Sequence, residues 1–167
     1  PKTPKPQNPF SNNNIYNFYN ATGNSFGIYV LSNSSTWTIS NNRIYQTTER
    51  LYTSNCSQFG IYVNAGNGYT ISNNTIGFAN ASGTGTMTMI GNSVPLIGFP
   101  TAYSVIGTPV TIRFLGIGVA AAAGTATNVD GNTISGIAVY TSSNTAANYG
   151  IVGGIYVESG TVNMGAN

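Results

Sequence analysis

A six-residue pattern constrains this chain more than anything else in it: apolar, any, small polar, Asn, any, apolar. It reads Ile39-Ser40-Asn41-Asn42-Arg43-Ile44, Ile71-Ser72-Asn73-Asn74-Thr75-Ile76 and Phe10-Ser11-Asn12-Asn13-Asn14-Ile15. Looser copies are Met89-Ile90-Gly91-Asn92-Ser93-Val94 and Val129-Asp130-Gly131-Asn132-Thr133-Ile134, and Met164-Gly165-Ala166-Asn167 begins a sixth. The copies return at unequal intervals, as a constant corner with variable loops between corners would. That is how stacked repeats are written in sequence. Each copy sets two apolar residues around a tight polar bend, so one strand arrives and another leaves. Asn tolerates positive φ at such a bend. Its amide can also donate to one neighbouring copy and accept from the other. The expected product is a ladder of Asn13, Asn42, Asn74, Asn92 and Asn132 in one column.

A second repeated word is Gly27-Ile28-Tyr29-Val30, Gly60-Ile61-Tyr62-Val63, Gly116-Ile117-Gly118-Val119 and Gly154-Ile155-Tyr156-Val157, with Gly136-Ile137-Ala138-Val139 as a less regular copy. Strand alternation puts Ile and Val on one face and Tyr, Gly or Ala on the other. Each round of chain is thus expected to hold a Gly-Ile-x-Val strand, a strand ending at the Asn corner, and a short strand beyond it. Three such strands make a prism with the apolar side chains inside.

The alternation of these two words resembles the repeats of right-handed parallel β-helix proteins of the pectin-lyase-like fold, over residues 10–167. The resemblance implies an all-β solenoid of about five coils. That family includes polysaccharide lyases and hydrolases, phage tailspikes and adhesins, so the resemblance leaves function open. The Asn-, Thr-, Ser- and Gly-rich, charge-poor style is similar to that of secreted bacterial surface proteins and implies a location outside the cell.

Charge sets further bounds. Charged residues are 5% of the 167, against about 25% in an ordinary soluble domain. Hydrophobic residues are 41%, too many for a chain disordered by composition. The positive charges Lys2, Lys5, Arg43, Arg50 and Arg113 do not gather at one repeat position, so no nucleic-acid partner is expected. The most apolar run, 115–123, is far short of the roughly 20 residues of a membrane span, and no membrane insertion is expected. Cys56, the single cysteine, lies between Asn55 and Ser57 and is expected in a partly exposed loop. Residues 1–9 hold four prolines and read as a linker or incoming strand. Residues 10–167 read as a segment of a longer protein, flanked by further coils of the same chain or by a capping partner.

Catalysis is not expected. The acids Glu49, Asp130 and Glu158 fall at three different positions of the repeat. Glycoside hydrolysis needs two carboxylates facing across a sugar, and a calcium-assisted lyase needs several together. There is no His, and neither cofactor nor metal is expected. The candidate site is for binding. Tyr29, Tyr62 and Tyr156 are expected to form an outward column able to stack on sugar rings, although Tyr is also an ordinary strand former. The excursions 46–59 and 140–149 are expected to wall that sheet, the first bringing Glu49, Arg50 and Tyr52. The expected function is a structural or adhesive segment of a secreted or cell-surface bacterial protein, with a glycan or cell-surface partner. One alternative is the non-catalytic part of a polysaccharide lyase or glycoside hydrolase. Another is an ice-binding solenoid, read from Thr36, Thr38, Thr70, Thr86, Thr88 and Thr161.

Overall fold

The computed structural model describes residues 9–32, 34–91, 110–141 and 151–167. Among these are sixteen strands and no helix. A short first round holds β1 (Phe10–Ser11) and β2 (Asn14–Tyr16). The next holds β3 (Ser25–Val30), β4 (Thr38–Ser40), β5 (Arg43–Tyr45) and β6 (Arg50–Tyr52). Then come β7 (Cys56–Val63), β8 (Thr70–Ser72), β9 (Thr75–Gly77) and β10 (Met87–Gly91). A further round holds β11 (Ile112–Ala120), β12 (Thr127–Asp130), β13 (Thr133–Ser135) and β14 (Ile137–Tyr140), and β15 (Val152–Ser159) and β16 (Val162–Met164) end the series.

The protein is all-β, and its sheets are parallel. Sheet I is β3-β7-β11-β15, sheet II is β1-β4-β8-β12-β16, sheet III is β2-β5-β9-β13 and sheet IV is β6-β10-β14. From β3 onward the described strands fall in sheets I, II, III and IV in that order and start again. Register keeps like residues together. Ile28 pairs with Ile61, Ile61 with Ile117, and Ile117 with Ile155. On sheet II the row is Phe10, Ile39, Ile71, Val129 and Met164. On sheet III it is Ile15, Ile44, Ile76 and Ile134. The middle members of each row are buried in one core, joined by Met87 and Met89 of sheet IV.

At the Asn corners the two residues of each pair do different work. The first takes the left-handed conformation: Asn12, Asn41 and Asn73 have φ of 60°, 56° and 55°, and Gly131 has 64° at the equivalent place. The second turns inward and builds the ladder. Asn42 Nδ2 donates to Asn74 Oδ1 at 3.0 Å, and Asn74 Nδ2 to Asn132 Oδ1 at 2.9 Å. Each backbone N–H donates to the same oxygen. Asn13 joins from one end and Asn167 from the other. Asn92 lies outside the described residues, and Asn74 bonds straight to Asn132 with no step between them.

Several expectations are corrected. Met89 belongs to sheet IV, where it pairs with Arg50 and Val139 rather than with the sheet II row. Ile137–Tyr140 also belongs to sheet IV, so 136–139 is not a copy of the Gly-Ile-x-Val strand. Among the described residues each full round has four strands, not three. Residues 46–59 are not a loop wall: they hold β6 and the start of β7. Cys56 is buried at the head of β7, and burial pushes its thiol up to about 11. Gly27, Gly60 and Gly116 do not share the outward face with tyrosine. A methyl on Gly60 would lie 2.5 Å from the Gly116 carbonyl oxygen and 2.5 Å from Ile76 Cγ2. Only glycine fits there, because the strand bends at this point and its backbone packs against the core isoleucine of sheet III.

Candidate functional site

Sheet I carries a block of four aromatic rings beside the core. The bend at Gly27 breaks strict alternation, so Phe26 joins Tyr29 rather than Ile28. Their rings stack at 4.3 Å between centroids, with an interplanar angle of 11°. The same word recurs one step on, and Phe26 stacks on Phe59 at 5.0 Å while Tyr29 stacks on Tyr62 at 5.6 Å. Phe59 and Tyr62 close the block at 4.8 Å. Phe59 is buried and Tyr29 is 40% exposed, so the block is rooted at Phe59 and opens to solvent at Tyr29.

The next row has no tyrosine. Gly118 pairs with both Tyr62 and Tyr156, and the Tyr62 ring leans into the space a side chain there would fill, 2.7 Å from where a Gly118 methyl would stand. Leaning this way, Tyr62 Oη reaches Glu158 Oε2 of β15 at 3.2 Å. Asn64 Nδ2 donates to Tyr29 Oη at 3.1 Å. The column is therefore Tyr29, Tyr62, a glycine notch and Tyr156. Its outer border is a row of hydroxyl, amide and carboxylate groups.

The other three expected site residues form a separate cluster around β6. Arg50 Nη2 donates to Asn17 Oδ1 at 2.6 Å, its Nε donates to Gln46 Oε1 at 3.0 Å, and its Cζ lies 5.3 Å from the Tyr19 ring centroid. Tyr19 meets Tyr52 edge to face at 5.2 Å. Tyr52 is fully buried and its hydroxyl donates to Gln58 Oε1. Burial pushes the Tyr52 hydroxyl well above its ordinary value. Tyr52 is a core residue and cannot meet a ligand in this fold. Arg50 has its guanidinium committed to neighbours, and Glu49 lies exposed beside β6. The six residues expected at one site thus fall in two groups on different sheets. Of the excursion 140–149, residues 142–149 lie outside the described residues.

Near-parallel rings cover one another's faces. What the block presents outward is ring edges and hydroxyls, suited to hydrogen bonding along a chain of sugar hydroxyls more than to face-on stacking. Sequence reading missed Phe26 and Phe59, though each stands before the Gly of its word, as Leu115 does in the third copy. Among the described residues no group of three His, Cys, Asp or Glu side chains could hold a metal ion. No helix among them is long and apolar enough to cross a membrane. Comparison with family models, with curated proteins and with solved structures finds no match for this chain.

Proposed function

We propose that this chain is a stretch of right-handed parallel β-helix, about five coils long, serving as a structural and adhesive segment of a secreted or cell-surface bacterial protein. The observation that carries the reading is the shared axial register. The Asn ladder, the glycine column, the isoleucine rows and the first two rows of aromatic rings all advance by one residue per round. Order concentrated along one axis suits a stiff spacer. With only 5% charged residues, its surface chemistry rests on amides and hydroxyls.

The adhesive part is assigned to the outer face of sheet I. Ring edges, the hydroxyls of Tyr29 and Tyr62, Asn64 and Glu158 together suit a neutral glycan better than a polyuronate, since basic groups are few. One such contact contributes on the order of 1 kcal/mol, so a single site binds weakly and repetition along a surface supplies avidity. The test is a glycan array probed with the wild type and with the Tyr29→Ala/Tyr62→Ala double variant. Binding that the double variant loses supports the assignment. Equal binding by both, or none by either, leaves the rings as stabilisers of the sheet and the chain as a plain rod. The ice-binding alternative loses its regular array: Thr38 and Thr70 align, but Asn128 and Asn163 follow them, and Thr88 sits on sheet IV.

A further inference from the structure

We propose that Asn80 is an N-glycosylation site, at which the folded chain presents an already polarised carboxamide as the acceptor for a hexose from a nucleotide sugar. The inference is independent of the binding assigned to sheet I, because the site is a loop between sheets III and IV.

The acceptor triplet Asn-x-Ser/Thr occurs at Asn20, Asn33, Asn55, Asn73 and Asn80. In a chain this rich in Asn, Ser and Thr the triplet alone says little, and Asn33 lies outside the described residues. The other four are all exposed, so exposure does not separate them. Conformation does.

Asn55 and Asn73 stand just before strands, and the hydroxyl residues two places on belong to β7 and β9. There the backbone is committed elsewhere. Ser57 N–H donates to Asn24 Oδ1 at 2.8 Å, and Thr75 N–H donates to the Asn42 carbonyl at 2.8 Å. Ser57 is also buried, and Asn55 Oδ1 is taken by Thr111 N–H at 2.7 Å. Neither triplet can bring its amide and hydroxyl together without pulling a strand out of its sheet.

Asn80 is the opposite case. It lies in the loop 78–86, between β9 and β10. Its Oδ1 accepts from Ser82 Oγ at 2.7 Å, from Ser82 N–H at 3.0 Å and from Thr84 N–H at 3.2 Å. An amide nitrogen is a poor nucleophile because its lone pair is shared with the carbonyl. It reacts as it gives up a proton, and charge then gathers on the oxygen. Three donors already aimed at Oδ1 stabilise that charge, as an oxyanion hole does. One Nδ2 hydrogen is held by Thr84 Oγ1 at 2.8 Å, and the second is left for the base of a transferase. In the transfer, Nδ2 forms a bond to the anomeric carbon of the hexose. The bond from that carbon to the phosphate oxygen breaks, and the nucleoside diphosphate leaves with the electron pair. The Nδ2 proton goes to the base.

The loop is held from both sides. Ala79 N–H closes it on the Thr84 carbonyl at 3.0 Å. Arg43 of the preceding round donates to the Ala81 carbonyl, and Phe78 N–H donates to the Gly136 carbonyl of the following round at 3.1 Å. Asn80 is thus positioned wholly by rounds that flank it. Asn20 makes a related turn with Thr22, but in the first described round, and the proposal does not need it. A sugar at Asn80 would add hydration to a surface on which only 5% of residues are charged.

The test takes the full chain, a soluble N-glycosyltransferase that reads Asn-x-Ser/Thr, and UDP-glucose, with each site followed by peptide mapping in a mass spectrometer. Asn80 should take a hexose about tenfold or more faster than Asn55 or Asn73. No hexose on Asn80 overturns the site. Equal rates at the three overturn the part given to the turn. Synthetic peptides spanning residues 50–60, 69–79 and 75–87 lack the sheets, and their rates should draw together. The same lead kept by the peptide 75–87 would place the preference in local sequence and overturn the role of the fold.

Discussion

Asn42, Asn74 and Asn132 are buried amides whose every bond is axial or to their own corner. Asn74→Ala strips the acceptor from both donors of Asn42, and chemical denaturation should show a loss of about 2–6 kcal/mol, since each orphaned buried donor costs about 1–3 kcal/mol. Asn41, beside it, serves the left-handed turn instead, so Asn41→Gly should be nearly neutral, as Gly131 at the same place in a later corner suggests. If both substitutions cost the same, the division of labour within the pair is wrong. Gly60→Ala drives a methyl against backbone and core and should cost about 1–3 kcal/mol by overpacking. Buried acids make a further prediction. The Cys56 thiol is raised from 9.0 to about 11, and the hydroxyls of Tyr52 and Tyr69 are raised above 10.0, all by burial. Raised values mean that the fold favours the protonated forms. Their stabilisation is complete below the ordinary values and is lost as pH rises through the folded ones. Thermal midpoints measured between pH 8 and 12 should fall from about pH 9 upward, and Cys56→Ala should remove the earliest part of that fall. A midpoint that stays level to pH 11 would refute it.

Among the elements, the sheet I strands carry both packing and the candidate site. Phe59 stacks on Phe26, lies tilted against Tyr62 and is 7% exposed, whereas Tyr29 stacks on Phe26 and Tyr62 and is 40% exposed. Phe59→Ala should therefore cost about 3–5 kcal/mol, as a buried ring does, and Tyr29→Ala only about 1 kcal/mol. The reverse order in urea melts would show that the block is not rooted at Phe59. Much at this scale was legible. The pairing of Tyr29 with Tyr62 followed from their shared place in a repeated word, and the corners at Asn42, Asn74 and Asn132 followed from the flanking isoleucines. Sheet IV was not legible. Its strands alternate Met87 with Met89 and Ile137 with Val139, the same period as sheets I and II, and a period does not say which sheet a strand joins. That is why Met89 passed for a corner strand and 136–139 for a Gly-Ile-x-Val strand. The bend at Gly27 hid Phe26 in the same way, because alternation alone sends it to the face of Ile28. Burial of Cys56 depends on β7 meeting β11, and that of Tyr52 on β6 meeting β10 and the Tyr19 ring, contacts between distant parts of the chain that no local pattern encodes.

On the proposed β-helix reading the described rounds form a one-dimensional stack in which each touches chiefly its neighbours, and stability in such a body is a sum of round and interface contributions. Interior rounds have two interfaces and the end rounds one. Ile61 and Ile117, flanked on both sides, are fully buried, while Ile28 at one end is 8% exposed and Ile155 at the other is half-buried. Native-state hydrogen exchange should therefore be graded along the axis, slowest in β7 and β11 and fastest in β1 and β16, because opening an end breaks one interface and opening the middle breaks two. Uniform protection from β1 to β16 would mean a single all-or-none unit and would contradict the additive stack.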